Sequence, residues 1–139
     1  MLKQGASKAS VIYVAVVDDD ESARRSFSRL LRAAGFQAVT YTSAEALLGD
    51  AKRPRFDCLL LDIQLEGMSG LELSRRLAGI GDQTPVIFIT AVDDPQMKSD
   101  ALAVGCAGFF KKTDPADLVL EAIQRATGGG GGEAVISNR

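Results

Sequence analysis

No histidine occurs anywhere in this chain. That removes the commonest general base, the commonest transition-metal ligand and every Ser–His or Cys–His nucleophile pair. Any chemistry must therefore use carboxylates, lysine, hydroxyls or a hard metal. Cysteine is scarce. Cys58 and Cys106 are the only two, and both sit in apolar surroundings, which reads as small core residues rather than a disulfide framework. No apolar stretch nears the ~18 residues of a spanning helix, and the first residues are too polar and mixed for a signal peptide. Lysine and arginine form no block, and the formal net charge is only −2, so neither direct nucleic-acid binding nor a membrane surface is indicated. These absences predict a soluble cytoplasmic protein.

What the chain does have is core material. Hydrophobic residues make up 46% of 139 positions and charged residues 24%, ordinary proportions for one globular domain. Met1–Ser10 reads as a loose polar leader, residues 11–127 as the domain, and residues 128–139 as a glycine-rich linker and tail. Inside the domain, short β-branched or leucine-rich runs alternate with helical patterns. "VIYVAVV" (Val11–Val17), "FQAVTY" (Phe36–Tyr41), "CLLL" (Cys58–Leu61), "PVIFIT" (Pro85–Thr90) and "GFF" (Gly108–Phe110) are the strand candidates. Helices are predicted from Glu21 to Ala34, after the capping-box patterns "TSAE" (Thr42–Glu45) and "SGLE" (Ser69–Glu72), from Asp94–Pro95 to Val104, and from "DPADL" (Asp114–Leu118) onward. Alternation of this kind predicts a parallel sheet with helices on both faces. Ligands of such sheets bind beyond the carboxyl ends of the strands.

The residues that follow each strand are informative. Strand one ends in Asp18, Asp19 and Asp20, strand three in Asp62, strand four in Thr90, and strand five in Lys111 and Lys112. Each has an ordinary explanation: an aspartate caps a helix, another makes a turn, and a lysine pair is a solvated charge run. Together they place several acids, a hydroxyl and an ammonium at one sheet edge. Two like charges ~4 Å apart repel by about 4 kcal/mol at an effective dielectric near 20. A divalent cation relieves this, and Mg²⁺ needs only carboxylates, water and phosphate oxygens. Such a site suits phosphoryl transfer, with aspartate as the nucleophile.

In these residues the chain resembles the receiver domain of bacterial two-component response regulators. The resemblance rests on "VVDDD" (Val16–Asp20), "LLLDIQLEGMSGLEL" (Leu59–Leu73), "VIFIT" (Val86–Thr90) and "GFFKK" (Gly108–Lys112), and on the spacing from Asp62 to Thr90 and on to Lys112. "YTSAEALL" (Tyr41–Leu48) and the D-x-x-L-x-G-M-x-G run look most like receivers of the nitrogen-fixation-regulator type. The resemblance implies a flavodoxin-like, doubly wound, five-stranded parallel sheet of order 2-1-3-4-5, with five helices on two faces. It implies Asp62 as phosphoacceptor and Mg²⁺, or Mn²⁺, held by Asp19, Asp62 and the backbone carbonyl of Gln64, with Asp18 acting mainly through water. Lys112 and Thr90 would bind the phosphoryl group, and Phe109 would be the aromatic switch residue. Gln64 and Val92 would govern access of hydrolytic water. The implied partner is a sensor histidine kinase or phosphotransfer protein, and the switched surface is that of the fourth helix, fifth strand and fifth helix, through which a homodimer would form. The chain would then be no turnover enzyme, having only self-phosphorylation and self-dephosphorylation chemistry.

Two departures from the family pattern stand out. Thr113 follows the lysine where proline is usual, so a trans bond and a differently shaped loop are expected, with Lys111 as an alternative ligand. Glu66 replaces a common proline and adds an acid. Two other readings stay open. One is a pseudo-receiver that is never phosphorylated. The other is a phosphatase of the haloacid-dehalogenase type, whose D-x-D-x-S opening "DDDES" (Asp18–Ser22) mimics. The sequence leaves undecided a stand-alone receiver or a piece of a longer regulator. Apolar Val92 is expected to slow hydrolysis of an aspartyl phosphate. Val92→Glu should shorten the phosphate lifetime several-fold in a dephosphorylation time course, and an unchanged lifetime would contradict this role.

Overall fold

The computed structural model describes residues 11–128 and 134–137. The leader at 1–10 and most of the glycine run, 129–133, lie outside the described residues. The elements are β1 (Tyr13–Val17), α1 (Glu21–Ala33), β2 (Gln37–Tyr41), α2 (Ala44–Leu48), β3 (Cys58–Asp62), α3 (Gly70–Gly79), β4 (Val86–Thr90), α4 (Pro95–Val104), β5 (Gly108–Lys111), α5 (Ala116–Thr127) and β6 (Val135–Ile136). All strand pairs are parallel, and the order is β2-β1-β3-β4-β5-β6. The expected five-stranded order is present, and one strand is added to it. Residues 135–136, read from sequence as part of a tail, lie against β5 as a sixth strand. A two-residue strand is below the length at which alternation is readable, which is why the pattern gave no signal.

The strands read as continuous apolar runs because both faces of the sheet are covered. Ala15, Val17, Leu59, Leu61, Val86, Phe88 and Phe109 face one cluster, closed by Leu47 of α2, Leu73 and Leu77 of α3 and Ala101 of α4. Val14, Val16, Leu60, Ile87, Ile89 and Phe110 face the other, closed by Leu31 of α1 and Val119, Ala122 and Ile123 of α5. Each fully buried side chain of this size is worth about 1.5–3 kcal/mol over its exposed state. Cys58 is a free thiol in the core, and burial pushes it up to about 12. Cys106 is also free, and its thiol is raised by burial. Neither is poised to react. Among the described residues, no helix is long and apolar enough to cross a membrane.

Helix ends follow local chemistry, with three departures from the sequence pattern. Asp20, Ser69 and Asp94 cap α1, α3 and α4 through their side chains. At α2 the cap is Ser43, which accepts the Ala46 N–H at 3.0 Å, so the box expected from Thr42 to Glu45 is not formed. Glu45 reaches instead to the loop after β3, where it accepts the Met68 N–H at 2.8 Å. The expected start of α5 at Asp114 moves as well. Pro115 is the cap residue, without a side-chain bond, and Asp114 closes the loop after β5 by accepting the Lys111 N–H at 2.8 Å. At α3, Ser69 accepts the Glu72 N–H as the pattern requires, while the Glu72 carboxylate pairs with Arg76 at 3.3 Å.

Strand order reverses between β1 and β3, because β2 lies on one side of β1 and β3 on the other. The crevice beyond those two carboxyl ends is where such sheets take ligands. Gly70, at the start of α3, sits against it: a Cβ there would overlap the backbone carbonyl of Asp62. Gly79, at the other end of the same helix, has open space around the corresponding point. Gly70→Ala should lower stability by roughly 1–3 kcal/mol in urea unfolding, the usual cost of overpacking. Gly79→Ala should be neutral or slightly stabilising. Equal effects would contradict the close approach of α3 to β3.

Candidate functional site

Asp18 continues β1 by one residue, its N–H donating to the Tyr41 carbonyl at 3.1 Å. Its carboxylate Oδ1 accepts the Asp20 N–H at 2.9 Å. Arg24, one turn into α1, donates to the Asp18 carbonyl at 2.8 Å and fixes the loop from the helix side. The three consecutive acids therefore separate into different tasks. Asp18 is buried, with 2% of its surface exposed, and Asp19 faces solvent. Asp20 accepts the Ser22 N–H as the helix cap.

Asp62 is the last residue of β3 and only 5% exposed. Its Oδ1 accepts the Gln64 N–H at 3.0 Å, which leaves that residue's carbonyl outside this bond. Lys112 lies beyond the end of β5 and reaches over the same rim. Its Nζ is 2.9 Å from Asp18 Oδ2 and 3.2 Å from Asp62 Oδ2. Lys111 turns elsewhere, toward exposed Asp93 at 3.7 Å. The backbone brings the two lysines to opposite sides because β5 pairs Lys111 with Thr90, and the Lys112 N–H then donates to the Thr90 carbonyl at 2.8 Å. No cis peptide bond occurs among the described residues, so the Lys112–Thr113 bond is trans.

Carboxylate oxygens of Asp18, Asp19 and Asp62 all lie within 4.8 Å of one another. Glu66 is exposed and is not one of that group. Three acids at such spacing, all oxygen donors and one open to solvent, fit a hard divalent cation with water in its remaining positions. The electrostatics agree with that reading. Burial, followed by the charge of Asp18, pushes the Asp62 carboxyl up to about 6, and the Lys112 charge opposes the shift. For Lys112 itself, burial works against the charged form. The hydrogen bond to Asp18 and the charges of Asp62 and Asp18 outweigh that, so its ammonium is held above the ordinary lysine range. One half-buried cation thus offsets part of the repulsion between two buried anions.

The other residues singled out by sequence fall around this crevice. Thr90 ends β4 and is fully buried. Its hydroxyl donates to Met97 Sδ at 3.4 Å and accepts the Val92 N–H at 3.2 Å. Val92 is half-buried and Gln64 exposed. Phe109 is buried among Phe88, Ala101 and Ile136 in the cluster under α4. Sequence reasoning missed Arg24, Glu45, Met97 and Asp114, which hold the loops or the threonine in place. For Asp114 the signal was available, since aspartate before proline is a turn former. Glu45 has its partner 23 residues away, where no local pattern announces it, and Arg24 and Met97 bond across the loops that precede their helices, whose shape the sequence pattern does not give.

A family model for the response regulator receiver domain matches residues 14–124. Among curated relatives, the response regulator protein TodT of Pseudomonas putida is 36% identical over 125 residues, covering 90% of this chain and 54% of its own length. The transcriptional regulatory protein FixJ of Rhizobium meliloti is 36% identical over 114 residues, covering 82% of this chain and 56% of its own length. The chain therefore spans about half the length of these relatives. Among solved structures, the crystal structure of FixJ-N superposes with a TM-score of 0.78 at 34% identity, over 86% of this chain and 95% of that one.

The Asp62 shift has a consequence for stability. The folded state holds the Asp62 proton up to about pH 6, whereas the unfolded chain loses it near the ordinary value of 3.8. Ionisation of this group therefore adds no cost to folding below about pH 4, and that cost grows with pH until it is complete above about pH 6. In EDTA, Asp62→Asn is expected to be more stable than the unmodified chain at pH 7.5 by roughly 1–3 kcal/mol, the equivalent of a shift of this size. The gap should close as pH falls from 6 to 4 in urea denaturation series. A variant less stable at pH 7.5 would contradict it.

Proposed function

The chain belongs to the response regulator receiver domain family, and from that premise we propose that Asp62 is the side chain that takes the phosphoryl group. A phosphoacceptor role in two-component signalling is the function of such domains, and the homologous proteins give no support to a phosphatase. The observation that carries the residue assignment is Lys112 Nζ lying between Asp62 and Asp18, with Asp19 beside them, at the point where strand order reverses. Residues 11–127 form the receiver unit in this reading, and it works in the cytoplasm.

The donor is a phosphohistidine on a sensor histidine kinase or phosphotransfer protein, which suits a chain that has no histidine of its own. An Asp62 oxygen attacks the phosphorus in line. An O–P bond forms as the P–N bond breaks, and the imidazole nitrogen keeps the electron pair and later takes a proton from solvent. Asp19, Asp62 and the Gln64 carbonyl would hold Mg²⁺, or Mn²⁺, directly. Asp18 would act mainly through water, in keeping with both its oxygens being engaged by Asp20 and Lys112. The cation, when bound, supplies positive charge to the phosphoryl oxygens. Lys112 pairs with the carboxylate before transfer and with the phosphoryl group after it.

The Thr90 hydroxyl is positioned to respond. It now donates to a thioether, a weak acceptor. A phosphoryl oxygen on Asp62 is a far stronger one, so the hydroxyl would leave Met97 and Phe109 would repack beside it. That biases two arrangements of the α4–β5–α5 surface, which is the output face and the site of a homodimer. Gln64 and Val92 flank the acceptor and tune the approach of hydrolytic water.

The test is incubation with acetyl phosphate and MgCl₂ followed by intact mass measurement. The unmodified chain should gain one phosphoryl group, EDTA should prevent it, and Asp62→Asn should reduce the adduct at least tenfold. An adduct that survives Asp62→Asn, or one lost only in Asp18→Asn, would move the nucleophile away from Asp62. No adduct on the unmodified chain would favour a pseudo-receiver.

A further inference from the structure

The open edge of a parallel sheet exposes unpaired N–H and C=O groups and is a template for another strand. Here the β5 edge is filled by the chain itself. The Val135 N–H donates to the Ala107 carbonyl at 3.0 Å, and the Ser137 N–H donates to the Phe109 carbonyl at 2.9 Å. Gly108 faces Val135 and Phe109 faces Ile136 in register. The two apolar side chains point to opposite faces. Ile136 packs on the cluster that contains Phe109 and Ala101, and Val135 packs on the cluster that contains Phe110 and Ile123. From α4, Lys98 Nζ donates to the Ser137 carbonyl at 3.0 Å. The approach is close: a Cβ at Gly108 would come within 3.2 Å of the Val135 carbonyl. Main-chain pairing, one anchor on each face of the sheet and a cationic clamp from α4 together make the features of a strand-accepting groove.

We propose that residues 134–137 are a built-in strand ligand of this groove, docked from the same molecule, and that they mask the β5 edge between α4 and α5 from extended segments of other molecules. The groove selects two consecutive apolar residues with a free N–H on the first of them and on the residue that follows the pair. Only residues 129–133 separate α5 and Gly128 from the strand. A tether this short gives an effective concentration on the order of mM, so a strand with weak intrinsic affinity still occupies the edge. The masked edge is part of the face that the proposed function assigns to output. A partner of that face would then have to displace Ile136 from beside Phe109 and Val135 from the opposite face. This inference rests on the geometry of β6 alone and stands whether or not Asp62 is phosphorylated.

Amide hydrogen exchange on the full chain tests the docking. Val135 and Ser137 should exchange at least tenfold more slowly than in a free peptide of residues 133–138, and equally so at low and high protein concentration. Exchange at the free-peptide rate would overturn the proposal. Protection that grows with concentration would do so too, since the strand would then come from a second copy. Masking is tested by titrating the same peptide, fluorescently labelled, into the full chain and into Ile136→Asp. The variant should bind the peptide at least tenfold more tightly, because its own segment has lost the anchor on the Phe109 side. Gly108→Ala in the Ile136→Asp background should weaken that binding by crowding the groove. Equal peptide affinity for the unmodified chain and Ile136→Asp would overturn the masking.

Discussion

The ammonium of Lys112 between the carboxylates of Asp18 and Asp62 is the interaction around which the rest of this domain is arranged. Removing two anions from water is expensive, and one cation does not fully compensate two. The carboxyl of Asp62 remains pushed up to about 6 even with Lys112 in place. The site is therefore left short of positive charge, which is the condition under which a further cation binds. A fully neutralised cluster would be more stable and would have less reason to take up either metal or phosphoryl.

The scaffold makes that uncomfortable arrangement tolerable by fixing each group from outside the cluster. Asp18 is held by the Asp20 N–H on its side chain and by Arg24 on its carbonyl. Asp62 is held by the Gln64 N–H, and Lys112 by its own N–H on the Thr90 carbonyl. The loop after β3 is tied to α2 through Glu45 and Met68, and the loop after β5 is closed by Asp114. Thr90 differs from these, because its hydroxyl rests on a thioether. Strong bonds hold what must stay, and the weakest acceptor is at the group proposed to move.

The far edge of the sheet extends the same logic to the surface. Phe109 is buried in the cluster under α4, and Ile136 lies beside it in register on the neighbouring strand. A strand added at β5 thus meets Phe109 in register, α4 through Lys98, and the α5 side through Val135.

The elements of the fold were legible because each strand is a short apolar run and each helix has a 3.6-residue stripe, patterns set by neighbours a few positions away. The acids and lysines at the strand ends were legible for the same reason: parallel topology puts all those ends on one rim. The caps of α2 and α5 were misread, since Ser43 and Thr42 are both favoured cap residues but only Thr42 has a glutamate three positions on, and Asp114 had a competing use in its own loop. The sixth strand escaped notice because two residues carry no period. By itself, then, the sequence determined the alternating architecture and the inventory of charges at the sheet edge, both products of local spacing. Only the tertiary structure decided that Lys112 rather than Lys111 meets Asp62, that Glu45 serves a distant loop, and that residues 135–136 close the β5 edge. Those outcomes depend on where remote backbone carbonyls and side chains lie, which no local pattern encodes.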